Sequence, residues 1–230
     1  MKTIGLIGGM SWESSLEYYR IINEQVKEKL GGLHSAKSLM YSLDFDLIEK
    51  LQQQEKWDEL TSIMIKAAQD LEKGGADFVL ICTNTMHKMA EDVQDNINIP
   101  LLHIADTTAE RIKEKSLKKV GLLGTNFTME KDFYKGRLTN KHGLEVIVPK
   151  KEDRQIIHQI IYQELCLGEI KSSSRDQYVK ILNKLVDSGA EAVILGCTEI
   201  PLLVHQEDVN IPLFDTTSIH AETAVEYALK

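Results

Sequence analysis

Short runs of apolar residues alternate along the chain with longer stretches in which apolar residues recur at helical spacing. The short runs predict eight β-strands, at about residues 2–8, 38–43, 77–82, 100–104, 119–124, 144–148, 191–196 and 212–215. The longer stretches predict helices between them, for example at 13–29, 57–74, 106–115, 152–167 and 174–188. This alternation of strand and helix is typical of an α/β protein with parallel sheets.

The chain also contains an internal repeat. Three pairs of segments match in the same order and at nearly the same offset, namely 5–8 with 121–124, 75–80 with 189–194, and 99–101 with 211–213. The repeat predicts two similar, pseudo-symmetric α/β domains with parallel sheets and an active site in the cleft between them. The alternative is that similar strand–helix patterns arose by convergence within one ordinary sheet.

One strand and one helix remain after the end of the second repeat, at about 212–228. We expect this last helix to pack back on the first half of the chain, which makes the first domain discontinuous. The predicted first domain therefore comprises residues 1–104 plus 211–230, and the second comprises residues 105–210.

Composition excludes several classes of protein. The 230 residues carry a net charge of −8 without a basic stripe, which disfavours a nucleic-acid partner. No apolar run approaches the ~20 residues that span a membrane, and the N-terminus does not resemble a signal peptide. The cysteines Cys82, Cys166 and Cys197 form no disulfide pattern, and the seven histidines show no metal-ligand spacing. We expect a cytoplasmic protein without a metal or a membrane anchor.

The second matching pair aligns two loops that each follow a buried strand. Thr83 aligns with Cys197, Asn84 with Thr198, and Thr85 with Glu199. Ligands of open α/β sheets bind beyond the carboxyl ends of strands, and a following helix N-terminus favours a carboxylate. We therefore expect both loops to bind a small acid, with the hydroxyl and amide side chains as hydrogen-bond partners. Glu199 is expected to bind the substrate amino group, with a capping role as the alternative.

The same residues resemble a known family. Residues 82–87 (Cys-Thr-Asn-Thr-Met-His) and 196–203 (Gly-Cys-Thr-Glu-Ile-Pro-Leu-Leu) resemble the two signature motifs of the aspartate/glutamate racemase superfamily, amino-acid racemase branch. Residues 4–11 resemble its first strand and loop. The resemblance implies a homodimer without pyridoxal phosphate (PLP) or another cofactor, in which two cysteines act as paired acid and base. It also implies that Met10 and Gln52 contact the substrate.

The chain departs from the family pattern at one catalytic position. The first motif of the family normally begins Cys-Asn-Thr, whereas this chain has Thr83 before Asn84; part of the branch shares this Thr/Cys pair. Cys82 is one residue early, so its side chain is expected on the opposite face of the strand. A helix N-terminus lowers a thiol pKa, so we expect Cys197 to act as a thiolate base near neutral pH. Thr83 is a far weaker acid and needs a neighbour such as His87 or a water molecule.

These observations predict a PLP-independent racemase that interconverts the L and D forms of aspartate, glutamate or a broader set of amino acids. The predicted catalytic residues are Thr83 and Cys197. The predicted substrate-binding residues are Met10, Gln52, Asn84, Thr85, Thr198 and Glu199. The alternatives are a related isomerase (a hydantoin racemase or a maleate isomerase) and a catalytically weak small-molecule binding protein.

Overall fold

Eight strands form two four-stranded parallel sheets in the computed structural model, which describes residues 1–230. The chain divides into two units, one of residues 1–104 with 220–230 and the other of residues 105–219. The predicted α/β class with two similar parallel sheets is confirmed.

The first unit is built around a sheet with the strand order β2-β1-β3-β4. Its elements are β1 (Ile4–Gly8), α1 (Trp12–Leu30), β2 (Ser38–Ser42), α2 (Phe45–Gln53), α3 (Trp57–Lys73), β3 (Phe78–Ile81), α4 (Ala90–Asp95) and β4 (Leu101–Leu102). A 3-10 helix, Thr85–Met89, joins β3 to α4. Helix α5 (Ile104–Glu114) begins at the end of this unit.

The second unit is built around a sheet with the order β6-β5-β7-β8. Its elements are β5 (Lys119–Gly124), α6 (Asn126–Glu130), α7 (Asp132–Asn140), β6 (Glu145–Ile147), α8 (Lys151–Gln163), α9 (Ser172–Asp187), β7 (Ala192–Gly196) and β8 (Leu213–Asp215). A 3-10 turn, Ile200–Leu202, follows β7. The last helix is α10 (Thr216–Leu229), which continues from residue 220 in the first unit.

The strand register supports the internal repeat at single-residue level. Gly5 of β1 pairs with Val79 of β3, and their repeat equivalents, Gly121 of β5 and Val193 of β7, also pair with each other. On the other side of β3, Val79 also pairs with Leu101 of β4. On the other side of β7, Val193 pairs with Leu213 of β8, which is the repeat equivalent of Leu101. Matching segments of sequence therefore occupy matching positions in the two sheets.

The second domain boundary differs from the expected one. Residues 211–219 were expected in the first domain, but β8 (Leu213–Asp215) pairs in parallel with β7 and belongs to the second sheet. The physical reason is that β8 is the repeat equivalent of β4, and each completes the edge of its own sheet. Only the part of α10 from residue 220 onward returns to the first unit.

Alternation along the buried strands decides which side chains face which helices. In β3, Val79 and Ile81 pack in the cluster formed with α2 and α3, whereas Phe78 and Leu80 pack with α1 and α10. Cys82 continues the second set and lies fully buried against α10. This period of two is the property of an extended strand, and it turns Cys82 away from the face of Ile81.

One glycine in the first loop is required by its surroundings. Gly9, directly after β1, has a φ of 85°. A Cβ at this position would approach the carbonyl oxygen of Leu43 to 2.2 Å, so any larger residue would displace the backbone of Leu43. The chain then enters α1, whose N-terminus is capped by Ser11 accepting a bond from Ser14 N–H.

Candidate active site

The Thr83 loop begins where β3 ends. Residues 82–84 form a bend, and the 3-10 helix Thr85–Met89 follows directly. Thr83 is half-buried, whereas Asn84 and Thr85 are buried. Asn84 is the N-cap of the 3-10 helix by position, but its side chain makes no capping hydrogen bond. The helix that was expected after Thr83 begins as a short 3-10 segment that leads into the six-residue α4.

His87 holds the main chain of this loop. Its Nδ1 lies 2.8 Å from the carbonyl oxygen of Thr83, and the N–H of Ile104 donates to its Nε2 at 3.2 Å. A carbonyl oxygen only accepts, so Nδ1 carries the proton. In the sequence analysis His87 is a neighbour that could relay a proton to Thr83. It is buried, and both of its ring nitrogens bind main-chain groups, so the relay role is wrong.

Cys82 has no exposed surface, and burial strongly raises the pKa of its thiol. Its backbone N–H continues the strand ladder by donating to the carbonyl oxygen of Ile7. A thiol in this position is a core side chain rather than an acid or base.

The Cys197 loop carries a proton acceptor of its own. Cys197 Sγ donates to Glu199 Oε2 at 2.9 Å, and Thr198 Oγ1 donates to the same oxygen at 2.9 Å. All three side chains are buried. Glu199 was expected to bind the substrate amino group or to cap a helix. Its carboxylate accepts hydrogen bonds from the two preceding side chains, and its contact with a substrate stays a prediction. Cys197 also continues the alternation of β7, because it packs with Val193 and Leu195.

The surroundings of Cys197 disfavour the thiolate form of its side chain. Burial raises its pKa well above the ordinary value, and the adjacent Glu199 carboxylate raises it further. The expected helix N-terminus is absent, because β7 is followed by only the three-residue 3-10 turn Ile200–Leu202. So short a segment supplies little dipole potential. Neither burial nor the short 3-10 turn favours the thiolate that was expected near neutral pH.

Met10 and Gln52 are both buried near the first loop. Met10 packs in the cluster that contains Ile48 and Met86. Gln52 lies in α2, and its Nε2 is 3.1 Å from Sδ of Met86, a residue of the 3-10 helix after Thr83. The glutamine is therefore not the solvated helix end that its polar neighbours in sequence indicate, because it faces the core side of an amphipathic helix.

Two features of the site were missed by reasoning from sequence: the bond between Cys197 and Glu199, and a buried group formed by Tyr18, His87 and His220. His220 Nδ1 lies 2.8 Å from Tyr18 Oη. The spacing Cys-x-Glu was a usable signal for the first feature. No local signal exists for the second, because its members are up to 202 residues apart.

The geometry defines a class of enzyme. Two equivalent strand ends are followed by Thr83 and Cys197, each beside buried hydrogen-bonding groups, and the Cys197 thiol has a proton acceptor in contact. Such groups suit proton transfer at a carbon atom. Comparison with known proteins identifies this class as the racemases, which are isomerases: a family model described as Asp/Glu/Hydantoin racemase matches residues 7–224. The chain belongs to the Asp/Glu/hydantoin racemase family.

Individual relatives agree with this assignment. The broad specificity amino-acid racemase RacX of Bacillus subtilis is 28% identical over 172 residues, covering 73% of this chain and 72% of RacX. The crystal structure of a candidate Asp/Glu racemase from Yersinia pestis covers 100% of both chains with 53% identity and a TM-score of 0.93. An aspartate racemase homologue from Pyrococcus horikoshii OT3 covers 100% of both chains with 39% identity and a TM-score of 0.86. None of the helices of the present chain is long and apolar enough to cross a membrane.

Proposed function

We propose that this protein is a PLP-independent racemase that interconverts the L and D forms of aspartate, glutamate or a broader set of amino acids. The observation that carries the proposal is the equivalent placement of Thr83 and Cys197, one at the end of β3 and the other at the end of β7. Racemisation requires a proton to leave one face of the α-carbon and another to arrive on the opposite face. A pair of acid–base groups from two like halves suits this reaction.

The contact between Cys197 and Glu199 supports a specific order of proton transfers. When Cys197 acts as base, the Glu199 carboxylate accepts the thiol proton and the thiolate then takes the α-proton, so the Cα–H bond breaks and an S–H bond forms. Thr83 delivers its hydroxyl proton to the opposite face and regains one from solvent, and Glu199 releases to solvent the proton that it accepted, so all three side chains return to their starting states. The positive charge of the substrate ammonium group favours the thiolate when substrate binds.

The carbanion needs stabilisation, because the α-proton of an amino acid is weakly acidic. We propose that the side chains of Asn84, Thr85 and Thr198 hydrogen-bond the substrate carboxylate, together with the backbone N–H groups of the two loops. By resemblance to the family, Met10 and Gln52 also contact the substrate.

The proposed substrate range extends beyond acidic amino acids. Neither of the segments 82–87 and 196–203 contains an arginine or a lysine that could hold a side-chain carboxylate. The next residue after the first segment, Lys88, has its Nζ 4.7 Å from the centre of the Trp57 ring. This cation is therefore engaged in a cation–π contact.

Two further properties are part of the proposal. We infer a homodimer from the family resemblance alone. We infer a cytoplasmic location from the three cysteines, which are all free thiols, since thiols persist in a reducing compartment.

The test uses single amino-acid enantiomers in deuterated water without PLP. Inversion is followed by chiral chromatography and α-deuterium incorporation by NMR. We expect racemisation of aspartate, glutamate or another amino acid that disappears in Cys197→Ala and persists in the matched control Cys166→Ala. Turnover of hydantoins or maleate alone would assign the protein to a different reaction of the same superfamily. Binding of amino acids without exchange or inversion would contradict the proposal.

A further inference from the structure

His87 fixes the peptide group that follows Thr83. The 2.8 Å bond from its Nδ1–H to the carbonyl oxygen of Thr83 restrains the peptide plane between Thr83 and Asn84. That plane carries the N–H of Asn84, and the same backbone determines where the Thr83 hydroxyl points. The ring itself cannot rotate freely, because the N–H of Ile104 donates to Nε2 at 3.2 Å.

A second histidine holds the neighbouring backbone segment. His220, from α10, has its Nε2 2.9 Å from the carbonyl oxygen of Leu102, two residues before Ile104. Because that oxygen only accepts, the proton is on Nε2 and the hydroxyl of Tyr18 donates to Nδ1 at 2.8 Å. The segment that fixes His87 is thus itself bound to α1 and α10.

The rings are packed together and away from water. The ring centres of His87 and His220 are 5.8 Å apart, and His103 lies 4.6 Å from His87 on another side. His220 has no exposed surface and His87 is 2% exposed. A second proton on His87 Nε2 would face the donating N–H of Ile104, so these hydrogen bonds define the neutral Nδ1–H form.

The repeat shows why this loop needs such support. His87 aligns with Pro201 at the 114-residue offset that aligns Thr83 with Cys197. Pro201 restricts its own backbone through the pyrrolidine ring, within the 3-10 turn after β7. The Thr83 loop has no proline at this position, and the side chain of His87 supplies a restraint through a hydrogen bond.

We propose that His87 is a positioning residue for Thr83, and that His220 and Tyr18 hold the backbone against which His87 is fixed. The inference rests on the proposed racemase function. His87 acts on the main chain and moves no proton to the Thr83 hydroxyl, because its two hydrogen bonds end on backbone groups. Removal of the His87 side chain therefore leaves proton removal by Cys197 intact and displaces only the Thr83 hydroxyl, which acts on the opposite face of the substrate.

The experiment compares His87→Phe with His87→Asn. Asparagine places an N–H near the position of Nδ1 and can keep the bond to Thr83, whereas phenylalanine fills the space without it. We expect His87→Phe to lower inversion by roughly tenfold to a hundredfold, in keeping with the cost of small misplacements in active sites. The exchange of the α-hydrogen removed by Cys197 should stay within about threefold, and His87→Asn should recover most of the inversion.

A double variant separates positioning from general destabilisation. If His87 acts through Thr83, adding His87→Phe to Thr83→Val produces no further loss of inversion. Additive losses, or an equal fall of inversion and exchange in His87→Phe, would overturn the inference. A wild-type protein that racemises no amino acid would overturn the proposed function instead. The positioning role is then tested by ¹⁵N NMR alone. The spectra must show His87 in the neutral Nδ1–H form. The chemical shift of the Asn84 amide must change in His87→Phe and return to the wild-type value in His87→Asn.

Discussion

The loop after β3 and the loop after β7 occupy equivalent places in two like sheets, yet they are built differently. The Cys197 loop contains a thiol that donates directly to the Glu199 carboxylate. The Thr83 loop contains a hydroxyl, and the buried histidine beside it binds the main chain. The two like sheets therefore place Thr83 and Cys197 in equivalent positions, and different groups contact each of the two loops.

This difference bears on the proposed reaction. A thiol with a contacting carboxylate can serve as both acid and base, because the proton has an acceptor within hydrogen-bond distance. A threonine hydroxyl has a far higher pKa than a thiol and serves more readily as an acid than as a base. The proposed enzyme is consequently directional: removal of the α-proton by Cys197 is faster than removal by Thr83.

The largest expected effect comes from removing each reacting side chain in turn. Cys197→Ala should lower both inversion and α-hydrogen exchange by roughly 10²- to 10⁴-fold, the range for loss of a general acid–base group. Thr83→Val removes only the hydroxyl at nearly constant size, so inversion should fall while exchange of one enantiomer continues. Thr83→Ser is the matched control that keeps the hydroxyl.

Deuterium exchange of both enantiomers, measured separately, checks this prediction. Equal rates of exchange for the two enantiomers in the wild-type protein would contradict the directional comparison. So would the loss of exchange from both enantiomers in Thr83→Val.

A smaller effect is expected from Glu199→Gln, which tests whether the second loop carries its own proton acceptor. Glutamine is of similar size, but it lacks the charge that raises the pKa of the Cys197 thiol. Turnover should therefore fall by roughly tenfold to a hundredfold, because the thiol loses its proton acceptor. The thiol pKa should fall as well, so alkylation of Cys197 by iodoacetamide should begin at a lower pH than in the wild-type protein.

The two readouts move in opposite directions, which a simple loss of structure would not produce. Cys166→Ala serves as the background for the alkylation measurement, because Cys166 is only partly buried. If Glu199→Gln leaves turnover unchanged, the carboxylate is not the proton acceptor of Cys197. If alkylation requires a higher pH in this variant, the electrostatic role assigned to Glu199 is wrong.

The sequence predicts the scaffold well because the scaffold follows from local patterns. Apolar runs and their spacing predict all eight strands, and the repeat predicts two similar sheets, in which the pair Gly5–Val79 and the pair Gly121–Val193 occupy equivalent positions. The repeat also matches residues 99–101 with 211–213, and this match indicates that β8 completes the second sheet as β4 completes the first. The expected boundary at residue 211 overlooked it.

The electrostatics of the candidate site depend on tertiary burial and were harder to predict. Cys197 was expected to be activated by a helix N-terminus, but only a 3-10 turn follows β7, and burial together with the adjacent Glu199 carboxylate raises the pKa of its thiol. His87 looks like a polar residue near a helix start, yet α10 contributes His220 to the same buried group from 133 positions further along the chain. Contacts over such separations leave no local pattern.

The smallest expected effect is on the pH dependence of the free energy of unfolding, and it arises from the buried His220 of the first unit. Burial lowers the pKa of His220 to about 3. In the unfolded chain a histidine has a pKa of about 6.5. Above that pH the residue is neutral in both states. As the pH falls below about 6.5, the unfolded state gains a proton that the folded state does not, so the free energy of unfolding decreases by up to about 1.4 kcal/mol per pH unit until the pH approaches the folded pKa.

Urea unfolding at pH 7, 6 and 5 measures this slope for the wild-type protein and for His220→Asn. The variant should be less stable at pH 7, because it loses the bonds with Tyr18 and Leu102, but its slope between pH 6 and 5 should be shallower by about 1.4 kcal/mol per unit. The exposed His34 provides the control, since His34→Asn should leave the slope unchanged. A slope in His220→Asn equal to that of the wild-type protein would show that His220 takes up a proton in the folded state. The neutral forms assigned to His220 and His87 beside the Thr83 loop would then be wrong. The comparison would fail as well, because it contrasts a loop bound by neutral histidines with a loop that contains its own carboxylate.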